Sequence, residues 1–416
     1  MAAARDSAVN RVIMFILLGY PVLLLTVKSG MNTLFFLLLI SSLFCLFRKL
    51  KSETAILWDD YSIAFACAMA SPALAVFLSQ AYHGAFSAPS YDGPSRFLLA
   101  IPIFLALRRI KMRTLTILQY GFPLGALAAL LSVLLVPRDW QDDSNLQSFQ
   151  FSNHIHFGDM ALMLGFLSLF SINWGQRDRP AVIILKVAGL LAGLYLSEQS
   201  GARGGWLAIP VFVLIWFLSR NSGKPGGQVA AATLSMLLAA AFSYALIDTV
   251  QHRLDMIYQD LADFYHGNKD TSIGIRLQLW HAASYLFAEH PVFGVGPDGF
   301  AQMMSPLSDN GMLTIAAADF GRSEVHNEIL AKSAGLGIFG LISILSVFAV
   351  PMFIFLRAMR SPLEQARTAA LMGICLVTGF FVFGLTVEIF NLKMTAAFFS
   401  LTLAILLAAA THKVPD

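Results

Sequence analysis

The stretch from Met31 to Phe47, MNTLFFLLLISSLFCLF, is apolar on every face of a helix and contains no charged residue. A run of this length and composition is typical of a helix that crosses a lipid bilayer. The stretch from Leu371 to Phe383 has the same character. A transmembrane β-barrel would instead show segments of about ten residues that alternate in polarity. These runs therefore predict membrane-spanning helices.

The whole chain has the composition of a membrane protein. Its 416 residues are 57 % hydrophobic and 13 % charged, with a mean hydropathy of +0.68. Soluble domains have about 45–50 % apolar and about 25 % charged residues, so a soluble enzyme is excluded. The sequence predicts an all-α polytopic membrane protein with about twelve transmembrane helices. The predicted spans are residues 12–27, 31–47, 56–79, 96–107, 115–136, 155–172, 181–197, 206–218, 229–247, 335–356, 366–386 and 394–411.

Basic residues indicate the orientation of these spans, because short cytoplasmic loops retain Lys and Arg. With the amino terminus inside, most basic residues fall on the inner side. The short outer loops then contain Lys28, Arg96, Arg138, Arg203 and Lys393. Both termini are therefore expected in the cytoplasm. The first apolar run has no small-residue cleavage site after it, so it is interpreted as a retained span.

This topology divides the chain into three parts. Residues 1–247 hold spans 1 to 9 with short loops, residues 248–334 form a large outer loop, and residues 335–416 hold spans 10 to 12. Apolar residues recur at helical spacing twice in the loop, at Leu254, Ile257, Leu261 and Phe264 and at Leu277, Trp280, Ala283 and Phe287. Two amphipathic helices are therefore expected there, on the membrane surface or over a cavity.

Arginines on the outer side are candidates for binding an anion. Arg203 lies among small residues in the hairpin SGARGGW, which leaves its guanidinium approachable. Arg276 opens the second loop helix, where the helix N-terminus also favours negative charge. Arg253 is a weaker third candidate. A guanidinium can bind phosphate oxygens through two parallel hydrogen bonds. Each arginine also has an ordinary interpretation, as a residue that contacts lipid head groups or solvent.

Polar residues beside the last outer connections are candidates for proton transfer or substrate contact. His326 precedes the tenth predicted span and can exchange a proton near neutral pH, and Asn327 could orient it or bind a sugar hydroxyl. A lone histidine is more often structural, so both interpretations stay open. Glu388 and Lys393 are expected to form a local pair or to contact the edge of the substrate. No further ligands accompany the histidines at 154 and 156, so no metal site is expected.

The order of these features resembles the bacterial O-antigen ligase and polymerase superfamily. The arginine hairpin is followed by the loop with Arg276 and by PVFGVG at residues 291–296. His326 and Asn327 then begin a His-Asn-x9-Gly-x-x-Gly spacing, whose glycines are Gly337 and Gly340. This spacing, the most specific element, is similar to that of lipopolysaccharide O-antigen ligases and their protein-glycosylating relatives. The resemblance covers roughly residues 195–345.

The resemblance implies a glycosyltransferase of GT-C architecture in the bacterial inner membrane, with its active site on the periplasmic face. Such ligases transfer an O-antigen chain from undecaprenyl diphosphate to a sugar hydroxyl of lipid A–core. They need neither nucleotide sugar nor metal, so no cofactor is expected. Membrane lipids are further partners, nucleic acid is not, and the chain is expected to act as a monomer.

The resemblance also implies roles for the candidate residues. Arg203 and Arg276, with Arg253 as a third member, would stabilise the charge that develops on the diphosphate. His326 would accept the proton of the acceptor hydroxyl or orient that hydroxyl, and Asn327 would contact the glycan. Attack opposite the leaving group predicts inversion at the anomeric carbon.

Three other functions remain open at this stage. An O-antigen polymerase shares the topology and the arginine-bearing loop, although the His-Asn spacing favours a ligase. A protein O-oligosaccharyltransferase often carries extra carboxy-terminal sequence, which is not expected after the last span here. A secondary transporter would have ionisable residues near the membrane midplane, whereas the charges here cluster at the outer edge.

Overall fold

A computed structural model describes residues 2–50, 58–136, 153–201, 203–220 and 248–412. In these ranges the chain forms α-helices, two short 3₁₀ helices at Pro89–Tyr91 and Arg203–Leu207, and turns, with no strand. The α-helices are α1 (Ala2–Thr26), α2 (Gly30–Leu50), α3 (Asp60–His83), α4 (Asp92–Leu107), α5 (Met112–Leu115), α6 (Leu118–Leu135), α7 (His154–Phe170), α8 (Pro180–Gln199), α9 (Ala208–Arg220), α10 (Asp248–Tyr265), α11 (Ser272–Glu289), α12 (Gly299–Asp309), α13 (Ile315–Gly321), α14 (Glu328–Ala358), α15 (Glu364–Gly384) and α16 (Lys393–Ala410).

The apolar helices confirm a polytopic membrane protein. Within the described ranges, eight helical stretches are long and apolar enough to cross a membrane, and they lie in α1, α2, α3, α5 with α6, α8, α14, α15 and α16. Helices α7 and α9 are shorter and apolar, and α4 coincides with the fourth predicted span. The ninth predicted span, residues 229–247, lies outside the described residues. The number of about twelve spans and the GT-C architecture therefore stay predictions.

Helix α16 lies at the centre of the helical bundle. Of its residues, 89 % are buried inside the protein, and it packs against α4, α15 and α2. Thr402 in this helix shares a hydrogen bond of 3.0 Å with the Tyr20 hydroxyl of α1. A helix that is apolar all round and buried on every side belongs to the interior of a bundle.

Residues 248–327, here called the connecting segment, contain α10 to α13. The two helices predicted from periodicity are both present, as α10 and α11. The predicted face of α11 was partly wrong, because Leu277 is 36 % exposed. The apolar residues that α11 buries are Leu279, Ala282, Ala283 and Leu286. They pack in a separate hydrophobic cluster with residues of α12 and α13, so neighbouring helices of the segment determine which face is buried.

Helix α14 is kinked where the connecting segment contacts it. Gly337 has φ of 65° inside the helix, which interrupts the helical hydrogen bonds. Ile338 N donates to Pro291 O at 2.8 Å, and Val295 N donates to Ala334 O at 2.9 Å. These backbone bonds fix the connecting segment to α14. The helix itself begins at Glu328, before the predicted start of the tenth span at residue 335.

Candidate active site

The turn that leads into α14, residues 324–327 and here called the histidine turn, contains a strained backbone. His326 has φ of 58° although it is not a glycine. A non-glycine residue in this left-handed region costs about 1–3 kcal/mol and persists only where the surroundings hold it. The residue is also buried, with 5 % of its surface exposed. The contacts of the turn therefore identify the groups that position His326.

Two elements hold the backbone of the histidine turn. Trp280 of α11 donates its Nε1–H to His326 O at 3.3 Å. The second element is the loop between α15 and α16, residues 385–392, here called the α15–α16 loop. Its Glu388 Oε1 accepts a hydrogen bond from Val325 N at 2.6 Å. The connecting segment and the loop between two membrane helices thus meet at this turn.

Asn327 ends the turn and caps α14. Its Oδ1 accepts from Leu330 N at 3.0 Å, and its Nδ2 donates to Leu385 O at 3.2 Å. An N-cap of this kind stabilises a helix by about 0.5–2 kcal/mol. Both polar atoms of the side chain are therefore engaged within the protein. A contact between Asn327 and the glycan stays a prediction.

Glu324 is a site residue that the sequence analysis missed. Its Oε1 lies 2.7 Å from His326 Nδ1. Burial raises the pKa of Glu324, but His326, the charge of His156 and a backbone hydrogen bond from Glu388 together lower it more, so the pKa lies below its usual value. A carboxylate at Nδ1 holds the proton on that nitrogen and leaves the lone pair on Nε2. The sequence signal was only a glutamate two residues before a histidine, which is not specific.

Arg276 lies in the second turn of α11, one turn before Trp280. Burial lowers the pKa of Arg276, while the negative charges of Glu324 and Asp260 raise it. The charge of Glu324 therefore acts on both Arg276 and His326. Because Trp280, one turn after Arg276, donates to His326 O, the fold places these two predicted site residues on neighbouring elements.

The side chains of Arg203 and Arg253 lie outside the described residues. The backbone of Arg203 begins the second 3₁₀ helix, and a Cβ added at the next residue, Gly204, would collide with Thr386 Oγ1. Thr386 belongs to the α15–α16 loop. The arginine hairpin therefore packs against the same loop that holds the histidine turn.

A buried charged cluster lies where α14 begins. Glu328 is fully buried, with its Oε1 at 3.2 Å from Lys332 Nζ and its Oε2 accepting from Phe390 N at 3.0 Å. Glu388 lies beside this pair. Burial raises the pKa of Glu388 to about 7, although the charge of Lys332 lowers it and that of Glu328 raises it further. A carboxyl group with a pKa near neutrality is a candidate for proton transfer.

The predicted local pair between Glu388 and Lys393 was wrong. Lys393 Nζ instead pairs with Asp92 Oδ2 of α4 at 2.5 Å. Glu388 is turned toward the histidine turn, where it accepts from Val325 N. The α15–α16 loop thus directs two residues that are close in sequence to different neighbours.

A cleft of about 430 Å³ lies between α3, the start of α4, α14 and the α15–α16 loop. Its polar end is lined by Glu324, Glu328, Lys332 and Glu388, and its apolar end by Val76, Leu336, Ile344 and Val347. His326 is not among the described lining residues, although its neighbours Glu324 and Val325 are. A cleft with one polar and one apolar end suits an amphiphilic ligand.

The sequence predicts no metal site at the histidines near residue 154. His156 Nε2 lies 3.2 Å from the backbone oxygen of Glu388. Among the residues that the structure describes, no group of three His, Cys, Asp or Glu side chains could hold a metal ion. A metal-independent reaction stays a prediction.

Comparisons with known proteins relate this chain to one family model and to individual proteins. Residues 190–345 match the model of the O-antigen ligase family. A protein of Haemophilus influenzae described as uncharacterised is 25 % identical over 294 residues, which are 68 % of this chain and 70 % of that protein. An O-antigen ligase of Escherichia coli K12 is 21 % identical over 187 residues, which are 45 % of this chain and 44 % of that protein. The matched family segment contains the arginine hairpin, the connecting segment and the histidine turn.

Proposed function

We propose that this chain, whose residues 190–345 match the O-antigen ligase family, transfers an O-antigen chain from undecaprenyl diphosphate to a sugar hydroxyl of lipid A–core. The observation that supports the proposal is the contact of the histidine turn with α11, where Trp280, one turn after Arg276, donates to His326 O, while Glu324 lies 2.7 Å from the His326 ring. The enzyme is a GT-C glycosyltransferase of the bacterial inner membrane, and its active site faces the periplasm.

The arginines bind the diphosphate of the donor. Negative charge develops on the phosphate oxygen as the glycosidic bond breaks, and preorganised cations stabilise that charge. Arg276 is partly desolvated, which strengthens its attraction for an anion. Arg203 completes the clamp, with Arg253 as a third member. Each guanidinium can bind two phosphate oxygens at once.

The acceptor hydroxyl attacks the anomeric carbon from the face opposite the diphosphate. The new carbon–oxygen bond forms as the bond to phosphate breaks, and the electron pair leaves with the diphosphate. His326 accepts the hydroxyl proton or orients the hydroxyl, with Glu324 fixing the ring. This displacement inverts the anomeric configuration, so a retained anomer in the product would contradict it.

Reconstituted transfer tests the proposal. Purified protein receives undecaprenyl-diphosphate-linked O-antigen and lipid A–core in EDTA, and ladder formation is followed on a gel. We expect His326→Ala and Arg276→Ala to reduce transfer by about 10²- to 10⁴-fold. The matched controls His281→Ala and Arg360→Ala change exposed residues and should transfer normally. Normal transfer by His326→Ala or Arg276→Ala would refute the assigned role.

The same assay separates the other functions. Longer chains on the carrier lipid, with none on lipid A–core, would indicate an O-antigen polymerase. Glycan attached to an added acceptor protein would indicate a protein O-oligosaccharyltransferase. Accumulation of labelled solute in vesicles without any glycan transfer would indicate a secondary transporter.

A further inference from the structure

Three glutamates line the polar end of the cleft, and two of them are already engaged. Glu324 lies 2.7 Å from the imidazole of His326. Glu328 lies 3.2 Å from Lys332 Nζ and accepts a second hydrogen bond from a backbone N–H of the α15–α16 loop. Each of these carboxylates therefore balances a partner within the protein.

Glu388, the third glutamate, is differently placed. Its Oε1 accepts from Val325 N at 2.6 Å, which fixes the carboxyl group beside the histidine turn. Its Oε2 makes no hydrogen bond within the part of the chain that the structure describes. Because the residue lines the cleft, this oxygen is the one that can serve a bound ligand.

Apart from Arg203 of the arginine hairpin, whose side chain lies outside the described residues, the charged and titratable groups around Glu388 come from the elements packed on the α15–α16 loop. They are Glu328 and Lys332 of α14, Glu324 of the histidine turn, His156 of α7, and the ion pair between Asp92 of α4 and Lys393. Burial raises the pKa of Glu388 to about 7, Lys332 opposes the rise, and the two other glutamates add to it. A base is most effective when its pKa lies near the working pH.

The charge of the cleft favours one class of ligand. Its lining includes five carboxylate residues, Asp92, Asp298, Glu324, Glu328 and Glu388, against the cations Arg322, Lys332 and Lys393. An excess of carboxylates repels a diphosphate but accepts hydrogen bonds from hydroxyl groups. The cleft therefore suits a sugar better than a phosphate, and the diphosphate fits the side of Glu324 on which Arg276 lies.

Resting on the proposed ligase function, we propose that this cleft receives the acceptor sugar and that Glu388, rather than His326, accepts the proton of the attacking hydroxyl. The acceptor oxygen bonds to the anomeric carbon, and the bond from that carbon to the diphosphate oxygen breaks. The electron pair leaves with the diphosphate, and the proton passes to Glu388 Oε2. Glu388 then releases the proton to water. His326, held by Glu324, orients the reacting groups.

The test compares wild type, Glu388→Gln and Glu388→Asp across pH 6 to 9 in the purified transfer assay. Glutamine keeps an oxygen that accepts from Val325 N but cannot take a proton. We expect its kcat to fall by about 10²-fold or more, with little change in KM for the acceptor or in donor binding. The wild-type rate should rise with pH through about 7 as Glu388 loses its proton, and this rise should vanish in Glu388→Gln.

The two remaining variants separate catalysis from structure. Glu388→Asp keeps a carboxylate and should retain pH-dependent transfer at a reduced rate, even if Glu388→Gln fails to accumulate. Glu289→Gln changes an exposed glutamate of the connecting segment and should behave as wild type. Equal rates and equal pH profiles for Glu388→Gln and wild type would overturn the role of Glu388 and leave the ligase intact. Loss of donor binding in Glu388→Gln and Glu388→Asp alike would also overturn it, by making Glu388 a structural residue. An inactive wild type would refute the ligase itself.

Discussion

His326 adopts a backbone conformation that its side chain disfavours, so its position depends on the groups around it. Trp280 holds its carbonyl oxygen, and Glu388 holds the preceding peptide through Val325 N. Glu324 acts on the ring itself, at 2.7 Å from Nδ1. The orientation of the imidazole is therefore set by one carboxylate, and the path of the backbone by two other elements.

Replacing Glu324 by glutamine removes the charge and keeps the shape. A hydrogen bond to a charged group contributes roughly 1.5–3 kcal/mol, so Glu324→Gln should slow transfer by about 10- to 100-fold. Initial rates of the purified variant, with Glu289→Gln as the matched control, measure the effect. If Glu324→Gln transferred at the wild-type rate from pH 6 to 9, the His326 ring would have to be oriented by other groups.

The folded protein is expected to lose stability as the pH rises, because Glu388 then ionises in a buried position. The pKa of Glu388 is raised from 4.5 to about 7 in the folded protein. Between these values the folded state binds the proton more tightly than the unfolded chain, so stability falls as pH rises through this window. Glu388→Gln cannot ionise and should melt at a higher temperature than wild type at pH 8, but at a similar temperature at pH 5. Thermal unfolding in detergent measures this, and a difference that is the same at both pH values would contradict it.

The sequence was enough to single out some candidate site residues but not the partners of others. His326 and Arg276 could be singled out because their chemistry and spacing are visible along the chain, and the fold places them on neighbouring elements. Glu388 could not be assigned, because its partner Val325 lies far away in sequence. The nearby Lys393 offered a simpler pairing, yet that lysine contacts Asp92. Side-chain partners across a bundle depend on packing, which periodicity does not encode.

At the scale of elements, the kink in α14 joins the connecting segment to the membrane helices. Gly337 has φ of 65°, and a Cβ there would collide with Val292 O. A Cβ at Gly340 would collide with Lys332 O. The glycines of the His-Asn-x9-Gly-x-x-Gly spacing thus have a structural reason, since both allow close backbone approach. They keep the histidine turn at a fixed distance from the kink.

Replacing Gly337 by alanine combines two penalties. At φ of 65° and ψ of −149° the backbone lies in a region populated essentially by glycine alone, which costs an alanine about 1–3 kcal/mol, and the collision with Val292 O adds to it. Gly311→Ala is the matched control, because its φ is 74° and nothing lies within 4 Å of an added Cβ. We expect Gly337→Ala to lower the melting temperature more than Gly311→Ala and to reduce transfer. Equal effects of the two substitutions on melting would mean that close approach at the kink contributes nothing.

Element boundaries show where sequence patterns reach their limit. Periodicity indicated both α10 and α11, because apolar residues at helical spacing require a buried face. It assigned Leu277 to that face, whereas Leu286 and Ala282 are buried there instead. The start of α14 at Glu328 was also missed, since a hydropathy pattern begins where charges end, while the helix begins at the Asn327 cap.

For the whole molecule, hydropathy predicts membrane helices but not their neighbours. Helix α16 has a mean hydropathy of 1.8 and is 89 % buried, whereas α8 has 1.9 and is 33 % buried. Lipid and protein interior are equally apolar, so composition does not separate the two environments. The central position of α16, and with it the place of the α15–α16 loop beside the site, could only come from the packed structure.

Helix α14 is expected to separate parts of the molecule that lie on opposite sides of the membrane. Its part after the kink, residues 338–358, extends about 32 Å at 1.5 Å per residue, enough to cross a bilayer of about 30 Å hydrocarbon. We therefore expect the connecting segment before it and the turn at residues 359–363 after it to face opposite compartments. Arg357, Arg360 and Arg367 cluster at that turn, so the positive-inside rule predicts that it lies in the cytoplasm.

Cysteine labelling tests this orientation. The native Cys45, Cys67 and Cys375 are first replaced by serine or alanine. Asp309→Cys, on an exposed position of the connecting segment, should react with a membrane-impermeant maleimide in intact spheroplasts. Glu364→Cys, exposed at the start of α15, should react only after the membrane is permeabilised. The opposite pattern would put Glu324, His326 and the cleft on the cytoplasmic face, where a periplasmic ligase could not work. Labelling of both variants in intact cells would mean that α14 does not cross the membrane.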